Sequence, residues 1–291
     1  MKRRDLIRAA ASAASFHLLA PFTRERNDQY VQGDVLHDAA ATARKPSPGG
    51  MRIQRLAWAG IKIESDATTL FVDATSSDEY KDMKLEVSTE YRHALITHHH
   101  SDHYDPAALK TVFDKRSRLY CSVDTIPWID TRDIKVQPVQ LYHPIDVSRW
   151  TGDLVAIPVP AVDGFGHPQV SWVVQGNGKK IIHCGDTLWH GYWRDIGIAY
   201  GPFDIAFMPI NAARLHQGQV NDTGIPAVLG PEQAVVASQL LRARMVCPIH
   251  YGRPESDYFE TPDPEGNFLR FARERGAAPL LLKQGEYVQW T

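Results

Sequence analysis

The sequence predicts an α/β fold of two mixed β-sheets covered by helices, in a chain of 291 residues. Three observations predict it. Runs rich in β-branched and aromatic residues alternate with helix-forming stretches, most clearly in the second half. Residues 170–174 and 180–183 flank Asn177-Gly178, a pair that closes tight hairpins. Hydrophobic residues make up 43% and charged residues 23%, a globular balance in a chain long enough to bury a sizeable core. Hairpins imply antiparallel pairing and helix–strand alternation implies parallel pairing, so the sheets are mixed.

Taken in order, the elements begin after a distinct N-terminus. Lys2, Arg3 and Arg4 precede Leu6 and Ile7, and a weakly apolar, small-residue run spans 9–20. A basic start before an apolar run reads as an export signal. Arg3-Arg4 with Leu6-Ile7 behind it resembles the twin-arginine type, which predicts a periplasmic or exported protein. A basic helix of a cytoplasmic protein is the alternative, because His17 interrupts the run and no small-x-small cleavage site stands out. Residues 1–50 are thus a signal-like segment and linker ending in Lys45-Pro-Ser-Pro-Gly-Gly50, and one domain is expected over 51–291. No other segment approaches the ~18 continuous apolar residues of a membrane span.

Residues 53–63 and 68–73 read as two strands joined by a polar turn. A strand at 93–97 runs directly into a histidine cluster. Asp105 is the expected N-cap of a helix that Pro106 opens and that runs to 115. Strands follow at 118–123 and 153–159, the second placed at a sheet edge by its prolines. After the hairpin come a strand at 204–208, a helix at 231–244 and a short strand at 245–249 that ends at His250. Residues 268–275 read as a helix closed by Gly276, and 278–282 and 287–290 as closing strands.

Composition narrows the function. A formal net charge of -2 provides no global basic field for nucleic acid. Cys121, Cys184 and Cys247 are odd in number and lack Cys-x-x-Cys spacing, which argues against a disulfide framework and a Cys-type zinc finger. Their apolar neighbours make them small core residues.

The chemistry concentrates at 97–103, which contains His-x-His-x-Asp-His from His98 to His103. Imidazole and carboxylate are the donors zinc takes when a position must stay open for water. His98 and His100 are two apart and share one side of an extended backbone. Asp102 and His103 follow in what reads as a turn, which can aim them at a second point nearby. Four such donors are costly to bury without a cation. Hydrolytic metal pairs sit ~3.5–4 Å apart, so one tight loop can serve both ions. A surface histidine cluster is the weaker reading, because Asp186 follows the hairpin strand and His250 ends another. Such loops are where a rigid scaffold presents active residues.

Other histidines divide. His99 points away from its neighbours, which favours a core or hydrogen-bonded role over ligation. His143 reads as a loop residue. His183 either supports Asp186 from behind or is a plain buried strand residue. His190 and His216 lie in loop-like stretches; contact with substrate is the less favoured reading of either. Trp172, Trp189 and Trp193 are candidates for an apolar pocket, with Trp172 better read as core.

The His98–His103 motif, then Gly185-Asp186-Thr187, then His250, occur in an order that resembles the metallo-β-lactamase superfamily, from residue 53 to the C-terminus. The second half is similar to the branch containing N-acyl phosphatidylethanolamine phospholipase D and the ascorbate-phosphate lactonases. Residues 185–187, 200–206, 208–210 and 248–252 carry that likeness. The resemblance implies a four-layer αββα sandwich and a pair of zinc ions, with manganese or iron(II) as alternatives. It implies that His98 and His100 hold the first metal, that Asp102, His103 and His250 hold the second, and that Asp186 bridges them. A further ligand to the first metal is expected after the strand ending at Val159. His167 is the usual residue type, whereas Asp163 falls closer to the usual distance; the chemistry favours His167. Relatives often carry Gly-His-Ala or Gly-His-Ser where this chain has Trp58-Ala59-Gly60, a departure expected to shape the pocket floor.

The implied activity is hydrolysis. A hydroxide bridging the metals, available because zinc lowers the pKa of bound water to roughly 7, attacks a carbonyl or phosphorus. The second metal stabilises the developing oxyanion, and Asp102 can steer a proton as the catalytic carboxylate. The expected target is an ester-type bond, a phosphodiester or a lactone, in a small-molecule or lipid-derived substrate rather than nucleic acid. The alternatives are a metal-dependent oxidoreductase with iron at similar ligands and a β-lactam hydrolase. Flavodiiron-type relatives normally carry an extra flavodoxin module, which disfavours the first. The pattern at 185–187 and 248–250 disfavours the second.

Overall fold

The computed structural model describes residues 50–76, 84–148, 154–215, 224–253 and 258–290. The twin-arginine-like start, the linker up to residue 49 and His216 lie outside the described residues.

The first sheet has six strands in sequence order: β1 (Met51–Arg55), β2 (Ile61–Ser65), β3 (Thr68–Val72), β4 (Tyr91–Leu95), β5 (Leu119–Ser122) and β6 (Val136–Val139). The first three pair antiparallel and β3 to β6 pair parallel. The stretch expected as one strand over 53–63 is two. Leu56 N–H donates to the Gly60 carbonyl at 2.8 Å and Gly60 N–H to the Ala57 carbonyl at 2.7 Å, closing a tight turn. Trp58 takes φ 54° inside it.

The second sheet contains β7 (Ile145–Asp146), β8 (Val155–Pro160), β9 (Val170–Gly176), β10 (Lys179–His183), β11 (Phe203–Pro209) and β13 (Ala243–Ile249), in the order β13-β11-β10-β9-β8-β7. A small separate pair joins β12 (Arg214–Leu215) to β14 (Tyr258–Phe259). The expected hairpin is β9–β10, with Asn177 at φ 47° and Gly178 at φ 73°, the left-handed pair that matches strand twist. β8 is not the edge strand its prolines imply, because β7 lies outside it. β7 pairs only with Val155 and Ala156. Tyr142 N–H donates to the Pro158 carbonyl at 2.8 Å, so the missing N–H of Pro158 also faces outward, where β9 does not need it.

Four α-helices occur among the described residues: α1 (Pro106–Val112), α2 (Trp193–Ala199), α3 (Pro231–Leu240) and α4 (Pro264–Arg275). Asp105 caps α1 as expected, accepting from Ala108 N–H at 2.9 Å. The helix stops short of 115 because Asp114 accepts from the N–H groups of Arg116 and Ser117, which turns the chain out. α3 ends before 244 because Arg242 adopts φ 60° and β13 begins at Ala243. α4 starts earlier than 268, where Asp263 caps Gly266 N–H at 3.1 Å, and Gly276 ends it at φ 67°. The stretches 278–282 and 287–290 form only isolated bridges, Val246 to Pro279 and Gln54 to Tyr287.

Three apolar clusters make the layers. Ile53, Ile61, Leu70, Trp172, Ile205 and Phe207 fill the space between the sheets. Phe71 and Ala94 pack under Leu109 of α1 on one outer face. Phe203, Ala206 and Val246 pack under Trp193, Val235 and Phe268 on the other. The result is an αββα sandwich. Trp172 is core, and its Nε1–H donates to the Ile96 carbonyl of the opposite sheet at 2.9 Å. Cys121, Cys184 and Cys247 are buried and free. No helix among the described residues is long and apolar enough to cross a membrane.

Val170 N–H donates to the Thr97 carbonyl at 3.0 Å, which joins the exit of β4 to the entry of β9. The loops leaving β4, β8, β10 and β13 therefore meet at one edge of the sandwich, and the functional side chains sit there.

Candidate metal centre

Asp73, at the end of β3, organises the edge. It is fully buried and accepts from Thr97 N–H at 2.8 Å, Thr97 Oγ1–H at 2.7 Å and His103 Nδ1–H at 2.9 Å. Burial alone would raise its pKa, but His103, His183 and His98 outweigh that and hold it below the usual carboxylate value. The N–H groups of His103 and Tyr104 both donate to the His100 carbonyl, a turn that swings Asp102 and His103 back towards His98. Gly185 takes φ 57°, and a Cβ there would lie 2.6 Å from Thr97 Oγ1. Only glycine lets the β10 exit approach β4 this closely and deliver Asp186.

Two donor groups result. In the first, His98, His100 and Asp186 bring one ligand atom each within 4.8 Å of one another, and in the second so do Asp102, His103, Asp186 and His250. Asp186 Oδ1 lies 2.9 Å from His103 Nε2 and 2.8 Å from His250 Nε2, while its Oδ2 lies 3.9 Å from His98 Nε2. Asp102 Oδ2 is 3.4 Å from His250 Nε2 and 3.6 Å from His103 Nε2. His98 Nε2 and His100 Nδ1 are 2.9 Å apart. Two ligands at 2.0–2.2 Å from one tetrahedral ion stand about 3.4 Å apart, so these spacings fit shared cations.

The hydrogen bonds agree. The Thr97 hydroxyl proton goes to Asp73, so Thr97 Oγ1 accepts from His98 Nδ1–H at 3.0 Å and leaves the His98 Nε2 lone pair facing inward. His103 Nε2 and Asp186 Oδ1 are buried and too poorly aligned to bond each other despite their closeness. Such orphaned atoms are costly unless a cation lies between them.

Electrostatics mark the same groups. Burial disfavours a charged His103, but Asp186, Asp102 and Asp73 raise its pKa well above 6.5. His250 is also raised, by Asp186 and Asp102 against burial. Burial opposes ionisation of Asp186 and Asp102, yet His103 and His250 hold both low. His98 is pushed down to about 3 by burial and by His103. These acids and bases favour opposite charges in a nearly dry site, where a metal replaces protons readily.

His167, the favoured further ligand of the first group, is elsewhere. Its Nδ1 lies 2.9 Å from Nε2 of His100, the ring edge opposite the one facing His98. It groups with His99 and His100 rather than with His98 and Asp186. Asp163 is buried, and its Oδ2 accepts from the N–H groups of Phe165 and His167 at 2.9 Å each. The loop thus wraps around Asp163 and carries His167 outward. His99 is half-buried against Trp128 and His167. His183 donates from Nε2 to the Ala59 carbonyl at 2.7 Å, and its Nδ1 lies 3.8 Å from Asp73, so it stands behind Asp73 rather than Asp186. His143 is exposed. His190 is buried with its ring stacked 3.9 Å from that of Trp193, which is itself buried, while Trp189 is exposed.

Sequence reasoning missed Asp73 and Thr97 as organisers and the contact that Trp58 makes. An aspartate closing the apolar run Leu-Phe-Val was the available signal for the first. Trp58 donates to Asp102, packs its ring 4.2 Å from that of His250 and accepts His250 N–H on its carbonyl at 3.3 Å.

Residues 68–251 match the family model described as "Beta-lactamase superfamily domain". A UPF0173 metal-dependent hydrolase from Thermococcus kodakarensis is 27% identical over 205 residues, covering 67% of this chain and 80% of that protein. Another from Thermus thermophilus is 29% identical over 202 residues, covering 67% and 79%. The metallo hydrolase Igni18 from Ignicoccus hospitalis shares the fold at 20% identity and TM-score 0.61, over 82% of this chain and 97% of that one. Since the family match spans more than half of the sequence, the chain belongs to the β-lactamase superfamily, as a metal-dependent hydrolase of the metallo-β-lactamase fold.

Proposed function

We propose that the two donor groups hold a pair of divalent cations, zinc foremost, and that the enzyme cleaves an ester-type bond, a phosphodiester or a lactone, in a small-molecule or lipid-derived substrate. The observation that carries this reading is Asp186, whose Oδ1 faces His103 and His250 while its Oδ2 faces His98. One carboxylate serves both groups, which is the arrangement a bridging ligand needs. Bound divalent cations supply a nucleophile by acidifying water, and they polarise the scissile bond.

The residues do the rest. His98, His103 and His250 are buried and exclude bulk water, whereas His100 and Asp102 are half-buried, so substrate approaches over them. Asp102 stays ionised beside His103 and His250 and so places a negative charge on the open side.

Elemental analysis of protein purified without added metal, followed by a panel of phosphodiesters, lactones and β-lactams, tests this reading. Two metal equivalents per chain and turnover of one of the first two classes are expected. Metal-replete protein inert to both classes would overturn it.

A further inference from the structure

The half-buried side of the centre is bordered by apolar rings. Phe165 stands edge-on to His100 with centroids 5.6 Å apart. Trp128 lies 4.9 Å from the His99 ring and 4.8 Å from the His167 ring. Trp128 is 50% exposed, Phe165 36% and Val162 39%. Single exposed apolar side chains are ordinary on any surface. These come from two different elements: Trp128 ends the short 3-10 helix after β5 (Val123–Trp128), and Val162 and Phe165 lie on the loop after β8. Both elements bring their rings against His99, His100 and His167. Aromatic groups that converge from separate loops onto a polar centre, and stay open to water, have the make-up of a ligand wall.

We propose that Trp128 and Phe165 form a subsite for a hydrocarbon chain, so that the substrates are small molecules carrying an alkyl or acyl chain beside the scissile bond. The wall offers two rings, enough for a single chain and too little for a bilayer surface. His100 links the wall to the chemistry: its Nδ1 faces His98, and Phe165 packs on the same ring. A chain on the wall therefore begins within a few ångströms of the candidate ligands. The inference rests on the hydrolytic reading of the donor groups, because only that reading makes the wall's occupant a substrate.

The test is calorimetric titration of the metal-loaded full chain with n-alkylphosphonates from methyl to octyl. Each buried methylene strengthens binding by about fourfold, so affinity is expected to climb along the series and then level off. In the double variant W128S/F165S the climb is expected to flatten, and W128F, which keeps a ring, is expected to retain it. Both residues are exposed, so the substitutions spare the core. No binding across the series, no dependence on chain length in the unmodified protein, or an undiminished climb in W128S/F165S overturns the subsite. The two readings fail separately. A climb that depends on Trp128 and Phe165 in a protein that hydrolyses no ester, phosphodiester or lactone removes the hydrolytic assignment and leaves the subsite. Turnover of short and long esters alike, with no climb in binding, does the reverse.

Discussion

Trp58 donates its indole N–H to Oδ2 of Asp102 at 2.9 Å, and this is the oxygen that faces His103 and His250. A tryptophan in a tight turn thus steers a candidate ligand that lies 44 residues away in sequence. The Arg253 guanidinium lies 4.9 Å from the Trp58 ring centroid. Because a bond from behind fixes which lone pair a carboxylate offers a metal, Trp58→Phe should weaken cation binding at the second group by about tenfold. Chelator competition measures this. Unchanged affinity would mean that Asp102 needs no steering.

Asp73 acts on His103 in the same way but from deeper burial. Asp73→Ala removes the acceptor of three donors at once and leaves His103 Nδ1 and Thr97 without their partner. A loss of roughly 3–5 kcal/mol in unfolding free energy is expected, with weaker metal binding. Urea denaturation of metal-free protein reads the first effect separately from the second.

Gly185→Ala should be damaging despite adding one methyl group. The new Cβ would press on Thr97 Oγ1 at 2.6 Å and on Thr97 Cβ at 2.8 Å, in a left-handed backbone that disfavours any Cβ. The combined cost is roughly 2–4 kcal/mol, and Asp186 should shift with it. Full stability and full metal occupancy in the variant would contradict the close approach.

Metal-free protein should be most stable near pH 6.5. Below that value the unfolded chain takes up protons that folded His98 and His190 refuse, since burial pushes them to about 3 and about 4. Stability therefore falls as pH drops through that window, by up to about 1.4 kcal/mol per pH unit for each proton. Above pH 6.5, His103 and His250 have raised values, so the folded form holds protons that the unfolded form has lost, and stability falls as pH rises through the folded values. Bound cations displace those protons, so loading metal should abolish the alkaline decline. His190→Gln should flatten part of the acid decline in both forms. Denaturation curves across pH, with and without metal, check both arms.

The strand and helix pattern, the Asn177-Gly178 hairpin and the His98–His103 run were legible because each depends on neighbours within a few residues. Periodicity, capping and turn preference are local, and Asp105 and Gly276 behave as their local chemistry demands. Errors fell where a distant contact or a single backbone angle overrides propensity. The break in 53–63 follows from the left-handed Trp58, and the early end of α3 from the left-handed Arg242. The placement of His167 was not legible either: spacing brings it near the centre, but whether it meets His98 or the far edge of His100 depends on how the loop wraps Asp163.

By itself the amino-acid order determined which donors exist and that they are of metal-binding type, since residue chemistry travels with the chain. Only the tertiary structure decided that Asp186 reaches both donor groups, that Asp73 stands behind His103, and that Trp58 reaches Asp102. Those relations join residues on different strands and sheets. Packing of the two sheets sets their distances to within an ångström, and no local propensity encodes such a distance.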